Sequence, residues 1–353
     1  MQFLIIKTSS LGDIIQAFPV ASYLHEKFPG CSVDWVVEKS FSALVTANPQ
    51  IRKVYHVDTK KWRKTIFSQE GLREIRSFRH AIKSQYYDLV IDIQGNTKSG
   101  LITWQAQGAI KIGFGKSTVP ELTNLLFTHK RYNPPTGMNI RKDYLSIVQQ
   151  HFSDSRVPSS CAVECILSDP QQEQVKFLLA DPKGKSSMKI MVCPGSAWKN
   201  KQLSPDVLKD VLQRIAGMYS CSFFFLWGNE KEKAVTESLH REFPQRSVII
   251  GFLPLPALQS LLSEMELVIS MDSLPLHLAG ITSVPTFSFF GPSSSNKYKP
   301  EGSEHFSLTG ACPYGRTFEK RCPILRTCET GACIHSLRAE DIFREFQAWW
   351  KTL

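Results

Sequence analysis

Short apolar runs alternate along this chain with longer segments whose apolar residues recur at helical spacing. An apolar run at residues 3–6 is followed by a small, turn-prone loop and then by helical spacing over residues 14–28. The order strand, loop and helix repeats as far as an apolar strand at residues 87–93. Repeated alternation of this kind predicts an α/β fold, with a parallel sheet covered by helices.

The alternation is interrupted at residues 153–172, which are rich in Ser, Pro and Asp, and it restarts with an apolar strand at residues 189–193. A chain of 353 residues suits two domains of ~150 residues better than a single core. We therefore expect consecutive domains at residues 1–165 and 170–335. A final helical pattern lies within residues 338–353.

The charge balance is basic, with 42 Lys and Arg against 32 Asp and Glu and a formal net charge of +10. The excess lies within residues 52–142 and is densest in the KKWRK segment at residues 60–64. Scattered lysines usually form a solvated face, but this density favours a surface that binds an anionic partner. A phosphorylated substrate or an acidic membrane fits; nucleic acid is not expected, because no nucleic-acid-binding motif accompanies the charge.

Neither an export signal nor an apolar run approaching ~18 residues is visible, so we expect a cytoplasmic protein without a transmembrane helix. The nine cysteines are then expected to be reduced. Four of them follow one another near the C-terminus, without the paired C-x₂-C spacing of zinc sites. These are Cys312, Cys322, Cys328 and Cys333. Packed thiols are the favoured interpretation of the four, and a metal site is the alternative.

Ligands of parallel sheets bind beyond the carboxyl ends of the strands, so the loops that leave the strands are the candidate sites. The first such loop carries Lys7 and Asp13, and a later one, DIQGNTKSG, carries Lys98. Asp13 begins a helix, so it is either a helix cap or a general base, which must lie within ~3 Å of the hydroxyl that it deprotonates. The first loop has no GxGxxG or Walker pattern, so a dinucleotide oxidoreductase or an NTPase is not supported.

Three loops of the second half carry groups suited to a nucleotide. In chain order they supply Ser196 and Lys201, then Glu232, and then Asp272, Ser273 and His277. The first and third loops open helices, whose unpaired backbone N–H groups can hold phosphate. The carboxylate after the middle strand suits ribose hydroxyls. The alternative for each loop is ordinary helix capping or a favourable charge at a helix start.

Six segments resemble, in the same order, those of the bacterial lipopolysaccharide heptosyltransferase family, which uses ADP-heptose. They are KTSSLGDIIQAFPV, VDWVVEKSF, KKWRK, YDLVIDIQGNTKSGLI, LWGNEKEK and SMDSLPLHLAG. Six matching segments in order are far more specific than any one of them. Within the family they look most like heptosyltransferase I.

The resemblance implies a GT-B architecture, in which two Rossmann-like domains with parallel sheets face a central cleft and the C-terminal helix packs back on the N-terminal domain. It implies inverting transfer of L-glycero-D-manno-heptose from ADP-heptose to the 3-deoxy-manno-octulosonate (Kdo) region of the lipopolysaccharide inner core. No cofactor and no catalytic metal are implied. The implied acceptor is an anionic Kdo-lipid A. The resemblance therefore implies a cytoplasmic enzyme that associates peripherally with the cytoplasmic face of the inner membrane.

The resemblance also implies roles for individual residues, by their place in the matching motifs. Asp13 would be the general base on the acceptor hydroxyl. The implied donor-binding residues are Ser196, Lys201, Glu232, Asp272, Ser273 and His277. The implied acceptor-binding residues are Lys60, Lys61, Arg63 and Lys64, with Lys98 and Lys7 as further candidates.

The chain departs from the family pattern in three places. Leu274 and Pro275 follow the Asp-Ser pair where the family usually has Gly, and a Leu side chain there is expected to narrow the sugar pocket. Residues 119–121 lack an acceptor Arg that the family pattern contains, and Lys116 is the candidate replacement. The Cys-containing tail looks more like heptosyltransferase II. Two alternatives therefore stay open: a related enzyme with another acceptor or donor sugar, and a non-catalytic protein that binds nucleotide sugars or anionic glycolipids.

Overall fold

The computed structural model describes residues 1–184 and 188–353. It divides into two compact units, Met1–Ile166 and Leu167–Leu353. Each unit is built on its own parallel sheet of six strands. The α/β class with two parallel sheets is therefore confirmed, and the division falls inside the Ser- and Pro-rich interruption of the sequence pattern.

The N-terminal unit has a Rossmann arrangement. Its strands are β1 (Gln2–Ile6), β2 (Ser32–Glu38), β3 (Lys53–Val57), β4 (Tyr86–Asp92), β5 (Gln107–Phe114) and β6 (Lys130–Tyr132). Its helices are α1 (Leu11–Lys27), α2 (Ser42–Thr46), α3 (Thr59–Thr65), α4 (Gln69–Lys83), α5 (Thr97–Gln105) and α6 (Ile140–His151), with a 3-10 helix at Leu122–Phe127. The strand order β3-β2-β1-β4-β5-β6 reverses between β1 and β4, which creates a crevice there.

The C-terminal unit repeats this arrangement. Its strands are β7 (Met188–Cys193), β8 (Cys221–Leu226), β9 (Ser247–Ile250), β10 (Leu267–Met271), β11 (Thr286–Phe290) and β12 (His305–Thr309). Its helices are α7 (Asp169–Leu179), α8 (Pro205–Met218), α9 (Glu230–Glu242), α10 (Leu255–Ser263), α11 (Leu274–Ala279), α12 (Ser295–Tyr298), α13 (Ala332–His335) and α14 (Ala339–Trp350). The order β12-β11-β10-β7-β8-β9 places the corresponding crevice between β7 and β10.

The central strands are continuous apolar runs because helices cover both faces of a parallel sheet. Residues 3–6 of β1 and every residue of β8 are buried. In the ladders, Ile6 lies opposite Asp92, and Cys193 lies opposite Ser270. The loops that leave β1 and β4 therefore start side by side, and so do the loops that leave β7 and β10.

The last helix, α14, packs into the C-terminal unit. Its buried residues Ala339, Ile342, Phe346 and Trp349 recur at helical spacing and join the same apolar core as Phe287. The rings of Phe346 and Phe287 meet edge to face, with centroids 5.4 Å apart. The resemblance assigned this helix to the N-terminal domain, but its apolar face instead completes the core around the second sheet.

Candidate functional site

The crevice of the C-terminal sheet brings together two of the predicted donor-binding residues. Ser196, in the loop after β7, is buried, and its hydroxyl donates a hydrogen bond to the backbone carbonyl of Asp272 at 3.2 Å. Asp272 comes directly after β10. The loops after β7 and β10 are thus joined at the point where ligands bind in Rossmann folds.

Asp272 is the centre of this crevice. Its buried carboxylate lies 2.5 Å from Lys201 Nζ, measured from Oδ2, and 3.9 Å from His277 Nε2, measured from Oδ1. The Ser293 hydroxyl donates a further hydrogen bond to Oδ2. Burial by itself raises the pKa of Asp272, but the Lys201 and His277 charges outweigh burial and lower the pKa below its ordinary value. Asp272 is therefore ionised, and it holds the Lys201 ammonium in the crevice.

The start of α11 carries the other predicted residues of this loop. Ser273 is the N-cap residue, and its hydroxyl donates to a backbone carbonyl at 3.3 Å. Leu274 and Pro275 are the first two helical residues and are half-buried. The Leu side chain therefore stands at the helix start that the resemblance assigned to the donor. His277, one turn later, is half-buried.

The Glu232 side chain contacts both the loop that leaves β7 and the loop that leaves β8. Its Oε2 accepts a hydrogen bond from the backbone N–H of Gly228 at 2.8 Å. Its carboxylate also rests against Gly195, where an added Cβ would fall 2.2 Å from Glu232 Cδ. A side chain at Gly195 would make the Glu232 carboxylate shift, so the two loops approach closely at this point.

A cavity of about 850 Å³ opens beside these groups. Its walls include Ser196, Lys199, Asn229, Glu232 and His335. Small-molecule sites commonly measure ~300–1,000 Å³, so the cavity can hold a nucleotide. His335 was not predicted from the sequence, because this residue belongs to the irregular Cys-containing tail and no motif surrounds it.

The crevice of the N-terminal sheet is built on Asp92, which the sequence analysis did not single out. Asp92 is completely buried at the end of β4. Its Oδ1 accepts from the backbone N–H groups of Gln94 at 3.0 Å and Gly95 at 2.9 Å. Its Oδ2 accepts from Thr103 Oγ1 at 3.0 Å and Asn124 Nδ2 at 2.7 Å. These donors are neutral, so burial dominates and raises the pKa of Asp92.

Gln94 fastens the loop after β4 to the loop after β1. Its Oε1 accepts from the backbone N–H groups of Thr8 at 3.0 Å and Ser9 at 2.9 Å. Gly95, the next residue, has φ +73°, and a Cβ there would fall 2.6 Å from the Pro120 ring. Glycine is therefore required at this turn, and the two loops form one fixed edge of the crevice.

Lys7, at the end of β1, is a buried cation. Its side chain is in the protein interior, with Nζ 4.7 Å from the centroid of the Tyr144 ring. Burial lowers the pKa of Lys7, and the negative charges of Asp13 and Asp92 oppose that shift. This position suits an electrostatic influence on Asp13 better than direct contact with a large acceptor.

Asp13 occupies the third position of α1 and forms a capping box with Ser10. Its Oδ2 accepts from the Ser10 hydroxyl at 2.6 Å and from the Ser10 backbone N–H at 3.2 Å. The helix-capping role considered for this residue is thus present. A general-base role is compatible with it, because the Asp13 side chain is only half-buried.

The KKWRK segment lies within α3, and one of its cations has ion-pair partners in the neighbouring helix. Lys61 turns toward α4, where its Nζ lies 2.8 Å from Glu70 Oε1 and 2.7 Å from Glu74 Oε1. These hydrogen bonds raise the pKa of Lys61. Lys61 is therefore engaged within the protein. The exposed cations of the predicted acceptor set are Lys60, Arg63, Lys64 and Lys98.

The four C-terminal cysteines line a second cavity, of about 590 Å³. None of the four is in a disulfide in the described structure. Within residues 1–184 and 188–353, no group of three or more His, Cys, Asp or Glu side chains is arranged to hold a metal ion. The tail that carries the cysteines packs beside the Lys201 loop, where Asn200 Nδ2 donates to the carbonyl of Leu325 at 2.5 Å.

Comparison with known proteins gives consistent similarities. The family model described as Glycosyltransferase family 9 (heptosyltransferase) matches residues 75–327, more than half of the chain. Over 322 residues the chain is 25% identical to lipopolysaccharide heptosyltransferase 1 of Pseudomonas aeruginosa. The match covers 91% of this chain and 87% of that protein.

Two solved structures of the E. coli heptosyltransferase WaaC share the fold. The structure with ADP has a TM-score of 0.78 and 21% identity, and the match covers 99% of this chain and 100% of that one. The structure with ADP-2-deoxy-2-fluoro heptose has a TM-score of 0.76 and 21% identity, with 99% of each chain covered.

Proposed function

The chain belongs to glycosyltransferase family 9, and from that premise we propose that it transfers L-glycero-D-manno-heptose from ADP-heptose to the Kdo region of the lipopolysaccharide inner core. The observation that carries the proposal is the buried Asp272–Lys201 salt bridge next to a cavity of nucleotide size. The name of the Pseudomonas aeruginosa relative supports heptose as the sugar and lipopolysaccharide as its destination.

In this proposal the C-terminal unit binds the donor. Glu232 accepts hydrogen bonds from the ribose, and Ser196 contacts the diphosphate. Lys201, held by the buried carboxylate, offsets the negative charge that develops on the leaving ADP. Fixed donors of this kind act where charge develops, which makes them effective in catalysis. The groups assigned to the diphosphate or the heptose are Asp272, Ser273 and His277.

The proposed chemistry is a single displacement with inversion. The acceptor oxygen attacks the anomeric carbon from the side opposite ADP, and the new C–O bond forms as the bond to the diphosphate oxygen breaks. The hydroxyl proton passes to Asp13, and ADP leaves with the electron pair. General-base catalysis of this kind typically contributes ~10²–10⁴-fold to the rate.

The N-terminal unit is the proposed binding site for the anionic acceptor. Lys60, Arg63 and Lys64 project from α3 into solvent, and Lys98 is exposed in the first turn of α5. Carboxylates and phosphates of a Kdo-lipid A acceptor would pair with these cations. An acceptor of this kind places the enzyme at the cytoplasmic face of the inner membrane.

The direct experiment supplies purified protein with ADP-heptose and Kdo₂-lipid A and measures ADP release and acceptor mass. The proposal predicts ADP release with a mass gain of one heptose, and no release when either substrate is omitted. Turnover with another nucleotide sugar but none with ADP-heptose would overturn the donor assignment and leave the family assignment intact.

A second candidate, a related transferase with another donor sugar, is favoured by one observation. Leu274 stands at the start of α11, where the family pattern has Gly. Competition between ADP-heptose and ADP-glucose, in wild type and in Leu274→Gly, separates the two. A wild-type preference for ADP-glucose that Leu274→Gly reverses would favour this second candidate.

A further inference from the structure

One face of the N-terminal unit exposes a cluster of large apolar side chains. Leu101 and Trp104, on α5, are 46% and 63% exposed. Leu122 and Leu126, on the neighbouring 3-10 helix, are 63% and 81% exposed. Single apolar side chains are common on protein surfaces, but a contiguous group marks an interaction site. These four residues are called the α5 patch below.

The α5 patch is one surface because its two segments are fastened together. Leu101 and Trp104 are three residues apart and share one face of α5. The 3-10 helix is held to the start of α5 by Asn124, whose Nδ2 donates to the carbonyl of Asn96 at 2.9 Å and to Asp92 Oδ2 at 2.7 Å. The patch is therefore anchored to the buried carboxylate that shapes the crevice of the sheet.

Cations border the patch. Lys111 Nζ donates to the carbonyl of Trp104 at 3.1 Å, and Arg131 Nη2 donates to the carbonyl of Leu125 at 2.6 Å. Lys98 is exposed one turn before the patch on α5. Trp and Leu bordered by Lys and Arg suit the boundary between headgroups and acyl chains.

We propose that the α5 patch docks the N-terminal unit on an anionic lipid bilayer. Within the described residues no helix is long and apolar enough to cross a membrane, so the contact would be with one leaflet. The apolar side chains would enter the headgroup boundary while the cations reach lipid phosphates. Glu121 also borders the patch, and its carboxylate accepts hydrogen bonds from the N–H and hydroxyl of Thr97.

Docking would bring the N-terminal crevice close to the headgroups. The Asn124–Asp92 bond fixes the patch to the loop after β4, which Gln94 fastens to the loop preceding Asp13. A lipid-linked acceptor would then present its sugar to Asp13 without leaving the membrane. This consequence rests on the proposed function, but membrane docking itself does not.

The test is cosedimentation of the full chain with vesicles of phosphatidylcholine, with and without phosphatidylglycerol. The variant Trp104→Ser/Leu126→Ser removes two large apolar groups of the patch. The control Phe177→Ser removes an aromatic ring that is 78% exposed on the C-terminal unit. We expect binding only with the anionic lipid, a loss of about tenfold or more in the double variant, and no loss in the control. Circular dichroism confirms that both variants are folded.

Equal binding by wild type and the double variant, or no binding to anionic vesicles, would overturn the docking proposal. So would a wild-type dimer that the double variant dissociates in the absence of vesicle binding, because the patch would then be a protein interface. Turnover on detergent-dispersed Kdo₂-lipid A is measured in parallel. Normal turnover without vesicle binding refutes the docking proposal alone, and vesicle binding without turnover refutes the proposed function alone.

Discussion

Asp92 and Asp272 stand at the ends of corresponding strands in two sheets of the same order, yet their surroundings differ. Asp92 is surrounded by neutral donors, and burial raises its pKa. Asp272 is also buried, but the charges of Lys201 and His277 lower its pKa. The Asp92 carboxylate accepts hydrogen bonds from neutral groups and so fixes a loop. The Asp272 carboxylate, at the corresponding position, binds the side chain of Lys201.

In the proposed function, this difference corresponds to separate tasks for the two crevices. The C-terminal crevice fixes Lys201 beside the proposed diphosphate site. The N-terminal crevice fixes two loops and places Lys7 near Asp13, which suits a base. Substitutions that each affect one crevice alone can therefore test the two proposed tasks separately.

The largest effect is expected from Asp13→Asn. This change keeps the shape of the side chain and removes its basicity, so kcat should fall by ~10²–10⁴-fold with donor binding unchanged. Steady-state assays of ADP release check it. The control Ser10→Ala keeps the carboxylate and removes its capping partner, and it should cost ~0.5–2 kcal/mol of stability with little change in kcat. If Asp13→Asn retained kcat within about tenfold, the residue would be only a cap.

Lys201→Met should come next, with kcat reduced by ~10²–10³-fold through loss of charge at the leaving group. It should also destabilise the fold by about 3–5 kcal/mol, because Asp272 is left buried without its cation. The double variant Lys201→Met/Asp272→Asn separates the two effects, since it should recover stability but not activity. Recovery of both in the double variant would show that Lys201 is structural. Urea unfolding and kcat measurements decide between these outcomes.

A smaller effect is expected on α3. Changing Lys60, Arg63 and Lys64 together to Ala should raise the acceptor KM several-fold at low salt and less at high salt, because exposed charges are screened. Lys61→Ala is the matched control, since this lysine is engaged by Glu70 and Glu74 and should leave KM nearly unchanged. An acceptor KM that is independent of salt in all variants would show that α3 is an ordinary solvated face.

The contrast between the two aspartates also predicts opposite responses to pH. The raised pKa of Asp92 means that its contribution to stability is largest at low pH and is lost as pH rises from the unfolded value of ~3.9 through the raised folded value. The lowered pKa of Asp272 means that its contribution is present above ~3.9 and is lost as pH falls through the lowered folded value.

Urea unfolding of the Asn variants across acidic to neutral pH measures these responses. The difference in unfolding free energy between wild type and Asp92→Asn should shrink as pH rises. The difference between wild type and Asp272→Asn should widen. If both differences in unfolding free energy changed in the same direction with pH, the two aspartates would not differ in the way described.

The sequence indicated much of the fold, because continuous apolar strands and helical spacing depend on local residues. It also identified the loops that carry Ser196, Glu232 and Asp272, since these follow strands directly. The partners of these residues were not predictable. Lys201 meets Asp272 only because β7 and β10 are neighbours in the sheet.

Three features were missed for the same physical reason. Asp92 was not predicted, because its donors come from α5 and the 3-10 helix as well as from its own loop. The high density of basic residues in KKWRK suggested a uniform binding surface and gave no sign that Lys61 pairs with Glu70 and Glu74 of α4. The helical pattern within residues 338–353 contained no information on which unit would cover α14.

The division of tasks between the two units is tested most directly by calorimetric titration of ADP into three variants. Glu232→Ala and Lys201→Met should each weaken ADP binding by about tenfold or more, because each removes a proposed charged or hydrogen-bonding partner of the nucleotide. Asp13→Asn should bind ADP as wild type does. Weakened ADP binding in Asp13→Asn, together with unchanged binding in the other two variants, would contradict the account.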